Sequence, residues 1–125
     1  MKKTKKTLIT IISLIILTFF IAPVQAAVCT GDYTIDLNNS SGDIAALSGC
    51  TEITGNLTID DSTLTSLTGL NNLTSVGGNL EIIWNNFLTS LTGLDNLTSV
   101  GGNLTISVNH HLISLSALTN LTTVS

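Results

Sequence analysis

The chain has 125 residues, of which 43% are hydrophobic and 10% are charged. All four basic residues lie within the first six positions and all eight acids follow Ala26, so residues 27–125 carry a formal charge of −8 with neutral His. A surface without fixed cations cannot neutralise phosphates, which argues against nucleic-acid binding and against attraction to anionic lipid. Chemistry that needs an Arg clamp or a catalytic Lys is excluded as well. Residues 27–125 are enough for one domain.

Residues 1–26 have the order of a secretory signal peptide. A Lys-rich start is followed by an apolar run from Leu8 to Ala22, then by Pro23 and the small-residue pattern that ends at Ala26. This order predicts cleavage after Ala26 and an exported chain. An uncleaved anchor is the first alternative, but the run is shorter than the roughly 20 apolar residues of a membrane span. A lipoprotein is the second, because Cys29 lies just past the cut, although the residues before it do not match a lipoprotein signal.

The rest of the chain is built from repeats. Three near-copies begin at the Gly-Asn-Leu strings that start at Gly55, Gly78 and Gly102, and a degenerate copy precedes them at Gly31. Residues 27–125 therefore form one repeat domain. Its units are 31–54, 55–77, 78–101 and 102–125.

The apolar spacing within a repeat predicts the course of the chain. Residues alternate after each Gly, as in Leu80-Glu81-Ile82, which predicts a strand with Leu and Ile inward. From Leu88 to Val100 an apolar residue recurs at every third position, which predicts three-residue turns that carry the chain round. A unit of about 24 residues cannot bury its own apolar face, so the units must stack. We predict a mainly β, leucine-rich-repeat-like solenoid of about four coils of 23–24 residues.

Polar residues recur at one turn of each repeat. Asx side chains stabilise tight bends and can bond to a neighbouring strand, so we predict a structural Asx ladder there. A calcium site with Asp60 is the alternative, but only one member of the ladder carries a charge. The predicted ladder consists of Asn38, Asp61, Asn85 and Asn109.

The string from Cys29 to Ile35, together with the repeated Leu-Thr-Ser-Leu, Gly-Leu and Asn-Leu-Thr-Ser-Val-Gly-Gly-Asn-Leu, resembles the receptor L domain. That leucine-rich module occurs in receptor ectodomains, and similar repeats occur in fungal cell-wall and bacterial surface proteins. The resemblance spans nearly all of residues 27–125. It implies a right-handed β-helix with an extracellular recognition or structural role, and it brings no catalytic residue. Members of that family are usually longer and end in a closing cap.

The two cysteines fit an exported chain. An even number of cysteines favours a disulfide in an oxidising compartment. Cys29 occupies the position of Val76 in a coil that would precede the first, and Cys50 is an inward position of the first coil, so the two lie at adjacent levels. We predict a Cys29–Cys50 disulfide rather than a metal site, because two Cys alone give an incomplete ligand set.

The last coil has no cap, so its apolar residues and strand edges are expected to be open. One interpretation is that the sequence is a fragment of a longer surface protein. The other is that the exposed end stacks on a partner, including a second copy of the chain. We favour the first.

One ridge carries the larger side chains, and an apolar patch with a polar rim is typical of a binding site. The alternative, which we favour, is that Trp84 points inward in the column of Leu37 and Val108 and that the two His residues form an exposed turn. Two adjacent His residues lack further ligands for a metal. The candidate patch consists of Ile83, Trp84, Phe87, His110 and His111.

The sequence thus predicts a non-enzymatic recognition or adhesion module of the cell exterior that binds protein or glycan and needs no cofactor. A passive surface-coat repeat is the alternative. A β-helical enzyme would need convergent carboxylates with a cation or metal, and here Asp60 and Asp61 are neighbours in a turn without any Lys or Arg to assist.

Overall fold

The computed structural model describes residues 26–125. The predicted signal peptide lies outside these residues, apart from Ala26. The described part contains nine short strands, one α-helix (α1, Ser40–Ala46) and a 3-10 helix (Ser116–Leu118). In chain order the strands are β1 Ala27–Cys29, β2 Tyr33–Ile35, β3 Cys50–Ile53, β4 Leu57–Asp60, β5 Ser75–Val76, β6 Leu80–Ile83, β7 Ser99–Val100, β8 Leu104–Ser107 and β9 Thr123–Val124.

The strands form two parallel sheets. Odd-numbered strands make a five-stranded sheet in the order β1-β3-β5-β7-β9, and even-numbered strands make a four-stranded sheet in the order β2-β4-β6-β8. Each repeat thus contributes one strand to each sheet. In the four-stranded sheet Leu57 lies opposite Leu80, which in turn lies opposite Leu104. The sequence period therefore sets which residues pair between neighbouring strands.

The predicted fold class, a mainly β right-handed β-helix or leucine-rich-repeat-like solenoid, is wrong. The described residues form a two-sheet parallel α/β-type fold with nine strands and a helix. The period defines the register between equivalent strands, but it does not define how the strands are divided between sheets or what joins them. In the first repeat the connection is α1, where Ser-Ser-Gly-Asp-Ile-Ala-Ala replaces the Leu-Thr-Ser-Leu string of the later repeats.

One apolar cluster lies between the sheets and the segments that join them. It contains residues of both sheets, such as Ile53 and Ile59, and residues of the connecting segments, such as Leu67 and Leu91, all fully buried. In β4 the outward residues are polar, since Thr58 and Asp60 alternate with buried positions. The alternation of the sequence thus puts the apolar face of each strand into the core.

Side chains also bond one repeat to the next. The Oδ1 atoms of Asp32, Asn56 and Asn79 each accept the backbone N–H of the equivalent residue one repeat later, at 2.7–2.8 Å, and the last donor is Asn103. On the other side of the repeat, the Thr98 hydroxyl donates to the carbonyl of Thr74. Because each residue bonds to its own counterpart, these bonds maintain the register of the repeats.

Candidate functional site

The turn after each strand of the four-stranded sheet has an unusual backbone. Asp61, Trp84 and Val108 follow β4, β6 and β8, and they have φ values of 46°, 58° and 54°. This left-handed region costs about 1–2 kcal/mol for a residue with a Cβ, and bulky or β-branched residues seldom occupy it. The turn directs Trp84 outward, with 54% of its surface exposed. Trp84 therefore does not point into the core, contrary to the interpretation that we favoured from the sequence.

The side chain of Asn85 maintains this turn. Its Oδ1 accepts bonds from the backbone N–H and the hydroxyl of Ser62, at 2.9 and 2.6 Å. Its Nδ2 donates to the carbonyls of Ile59 and Ile83, both at 2.8 Å. Asn85 is fully buried, and in a dry environment such bonds are costly to remove. The Asn85 amide thus provides hydrogen-bond partners for the N–H of Ser62 and for the carbonyls of Ile59 and Ile83.

The structure brings together part of the predicted Asx ladder. The backbone N–H of Asn85 donates to Oδ1 of Asn109 at 2.9 Å, so these two members are bonded. Ser62 takes the place predicted for Asp61, which is exposed and lies one position earlier. Asn38 is exposed and bonds to the carboxylate of Asp36 in its own turn.

A second ladder, which begins at Asp32, was not predicted from the sequence. The signal was present in the sequence, because Asn directly follows Gly at the start of three repeats. We used these strings only to set the repeat boundaries. The side chains of Asn56 and Asn79 have a structural role, because each accepts the backbone N–H of the equivalent Asn in the next repeat.

Two residues of the predicted patch meet at a shallow hollow. Phe87 is 60% exposed, and it lines a hollow of about 350 Å³ with Asn86, Thr89 and His111. The imidazole Nδ1–H of His111 donates to the carbonyl of Asn86 at 2.5 Å. A carbonyl can only accept, so Nδ1 of His111 carries the proton of this bond. The hollow thus combines an aromatic face with an imidazole, an amide and a hydroxyl.

The other members of the patch lie outside this hollow. Ile83 is half-buried at the end of β6, and His110 is exposed. Trp84 is exposed at the positive-φ turn and does not line the hollow. Phe87 and His111 are therefore the two predicted residues that share one surface feature.

The acidic residues do not form a metal site within residues 26–125. No three His, Cys, Asp or Glu side chains in this part of the chain are close enough to bind an ion together. Asp60 lies opposite Ile83 in the sheet, and Asp61 turns outward after it. The buried side-chain nitrogen and oxygen atoms of the same region all have hydrogen-bond partners.

The predicted disulfide is confirmed. Cys29 and Cys50 are bonded with their Cα atoms 5.8 Å apart, and they join β1 to the start of β3. A disulfide of this kind indicates an extracellular or otherwise oxidising environment. Among the helices of residues 26–125, none has the length and apolar character to cross a membrane.

No family model, curated protein or solved structure matches the chain.

Proposed function

We propose that the chain is a non-enzymatic recognition module of the cell exterior that binds a protein or glycan at the hollow beside Phe87. The observation that carries the proposal is the exposed aromatic face of Phe87 next to three polar side chains. The disulfide supports a location outside the reducing cytosol. Residues 1–26 would direct export as a signal peptide.

The position of Phe87 in its repeat supports a binding role. The equivalent residue of the preceding repeat is Thr63, and that of the following repeat is His111. A repeat that needs only to pack would carry a small polar residue at this exposed position, as Thr63 shows. An apolar residue rimmed by polar groups is the composition of many binding sites, and aromatic residues contribute strongly to them.

The charge of the chain limits the partner. Residues 27–125 have eight acids and no Lys or Arg, so an anionic partner such as nucleic acid would be repelled. A neutral sugar ring can stack on Phe87 while its hydroxyls bond to Asn86 and Thr89. The resemblance of the repeated strings to the receptor L domain also supports recognition outside the cell. This resemblance lies in the sequence strings and does not extend to the fold.

The test is binding of the purified, disulfide-bonded protein to an array of defined oligosaccharides and purified extracellular proteins. We expect saturable binding to at least one probe, weakened about tenfold or more in Phe87→Ala and in His111→Ala. Leu37→Ala is the matched control, because Leu37 is 58% exposed and lies in the first repeat, away from the hollow. Circular dichroism confirms that each variant folds.

Two results would refute the proposal. Saturable binding that both substitutions leave unchanged would move the site elsewhere on the chain. Absence of saturable binding to every probe would favour a passive surface-coat repeat instead.

A further inference from the structure

Trp84 presents an aromatic face to solvent at the end of β6. Its side chain is 54% exposed, and the positive-φ turn directs it outward. The equivalent turns of the neighbouring repeats carry Asp61 and Val108. Trp84 does not line the hollow beside Phe87, so the proposed function gives this exposed indole no role.

Asp61 is the neighbour of Trp84 in the preceding repeat. β4 and β6 pair in parallel as far as Asp60 and Ile83, and the N–H of Asp61 donates to the carbonyl of Ile83 at 3.2 Å. The backbones of Asp61 and Trp84 therefore lie side by side, about 4.8 Å apart as in paired strands. Both residues are exposed. We call the surface that Asp61 and Trp84 form the turn surface.

The turn surface has no cationic side chain of its own. Residues 27–125 contain no Lys or Arg that could pair with Asp61 or stack on Trp84. Within residues 26–125 the Asp61 carboxylate accepts no hydrogen bond, whereas the carboxylates of Asp32 and Asp95 each accept a backbone N–H. The carboxylate and the indole are therefore both available to a partner.

The charge of the chain indicates which partner fits the turn surface. Residues 27–125 carry a formal charge of −8, which attracts a cation and repels an anion. A cation over an indole face is attracted by the ring, and Arg is the side chain found there more often than Lys. The planar guanidinium of an Arg can lie on the ring of Trp84 while its N–H groups donate to a carboxylate beside the ring. A Lys ammonium fits less well, because it is a compact and strongly hydrated charge.

We infer that the turn surface binds an Arg side chain of a basic segment in a protein partner. The Arg stacks on Trp84 and pairs with Asp61, and the other basic residues of the segment are attracted by the net charge of the chain. A choline lipid also offers a cation to an indole, but its headgroup is zwitterionic, so that net charge would not attract it. The turn surface shares no residue with the lining of the Phe87 hollow, and the inference does not depend on the proposed function.

The test is titration of the disulfide-bonded protein with a short oligo-arginine peptide. An ionic strength of about 0.15 M is used, at which exposed charges more than ~8 Å apart are largely screened. Trp84 is the sole tryptophan of the chain, so its fluorescence emission reports directly on the turn surface. We expect a saturable change in this emission. An oligo-citrulline peptide of the same length, whose side chains are neutral isosteres of Arg, should cause no change, and oligo-lysine should bind more weakly.

Calorimetric titration with oligo-arginine compares the variants. Trp84→Leu keeps an apolar side chain but removes the aromatic face, and it should raise the dissociation constant about fivefold. Asp61→Asn should raise the dissociation constant about threefold. Glu52→Gln is the matched control, because it removes the same charge from an exposed residue of β3 in the other sheet, and it should leave the dissociation constant nearly unchanged.

Each of four results would overturn the inference. Absence of a saturable emission change with oligo-arginine would show that the turn surface does not bind this cation. A dissociation constant that Trp84→Leu leaves unchanged, or that Asp61→Asn and Glu52→Gln raise equally, would show that net charge alone attracts the peptide. Oligo-lysine or oligo-citrulline that binds as tightly as oligo-arginine would exclude recognition of the guanidinium. Binding to phosphatidylcholine vesicles in place of the peptide would assign the surface to a lipid headgroup. Circular dichroism of each variant separates loss of binding from loss of the fold.

Discussion

Replacing Asn85 with Ala should destabilise the fold strongly, although the change removes only a small side chain. The Asn85 amide makes four hydrogen bonds, to the N–H and hydroxyl of Ser62 and to the carbonyls of Ile59 and Ile83. A typical bond contributes about 1 kcal/mol, so the loss comes to about 4 kcal/mol. A small domain has a free energy of unfolding of about 5–15 kcal/mol, so Asn85→Ala would remove a large share of it.

Urea unfolding under non-reducing conditions measures this change, with circular dichroism as the signal. Asn86→Ala is the matched control, because Asn86 is the next residue, has the same side chain and is exposed. We expect the control to stay within about 0.5 kcal/mol of the unsubstituted chain. Equal midpoints and slopes for the two variants would refute the reasoning, since they would mean that the Asn85 bonds contribute no more than contacts with water.

Two further predictions concern the backbone and the disulfide. Gly31 and Gly93 both have positive φ, but a Cβ on Gly31 meets open space whereas one on Gly93 would lie 1.8 Å from the carbonyl oxygen of Leu67. Thermal unfolding should therefore show a loss of about 1 kcal/mol for Gly31→Ala and at least ~3 kcal/mol for Gly93→Ala, and equal losses would contradict the clash. Reduction of the Cys29–Cys50 disulfide, which spans 21 residues, should lower the free energy of unfolding by about 3 kcal/mol, as measured by urea titration with and without reductant. An unchanged urea midpoint after reduction would contradict this prediction, because it would mean that the disulfide does not restrict the unfolded chain further.

Much of the strand pairing could be predicted from the sequence. The Gly-Asn-Leu strings place Leu57, Leu80 and Leu104 at the first residues of β4, β6 and β8. The even number of cysteines, in a chain predicted to be exported, led to the correct disulfide. These features depend on local strings and on the repeat period, and both are visible in the sequence.

The fold class and the Asx ladder required information that the period does not contain. The repeat 55–77 is one residue shorter than the next, and the predicted ladder equated Asp61 with Asn85, which puts the missing residue before Asp61. The structure places it after Ser62, because the register set by Leu57 and Leu80 continues from the strand into the turn. Ser62 therefore aligns with Asn85, and Asp61 aligns with Trp84.

The candidate site was only partly predictable for a related reason. The sequence identified Phe87 and His111 as neighbours, but it gave no indication that Trp84 would occupy a left-handed turn. The buried amide of Asn85 bonds to the carbonyl of Ile83 on the other side of Trp84 and to the carbonyl of Ile59 in the preceding repeat, and the second of these is a long-range contact. Local backbone preference alone favours Gly or Asn at a position with positive φ such as that of Trp84.

The side-chain ladder has a consequence for how a gene of this kind can change length. Asn79 donates its N–H to Asn56 and accepts the N–H of Asn103, so its repeat offers the same groups to the repeats on either side. Duplication of residues 78–101 by unequal recombination would give every new strand a partner in the same register. The Cys29–Cys50 disulfide would be unchanged. The ladder accepts repeats of 23 and of 24 residues, since both spacings occur in it, so such genes should gain and lose whole repeats.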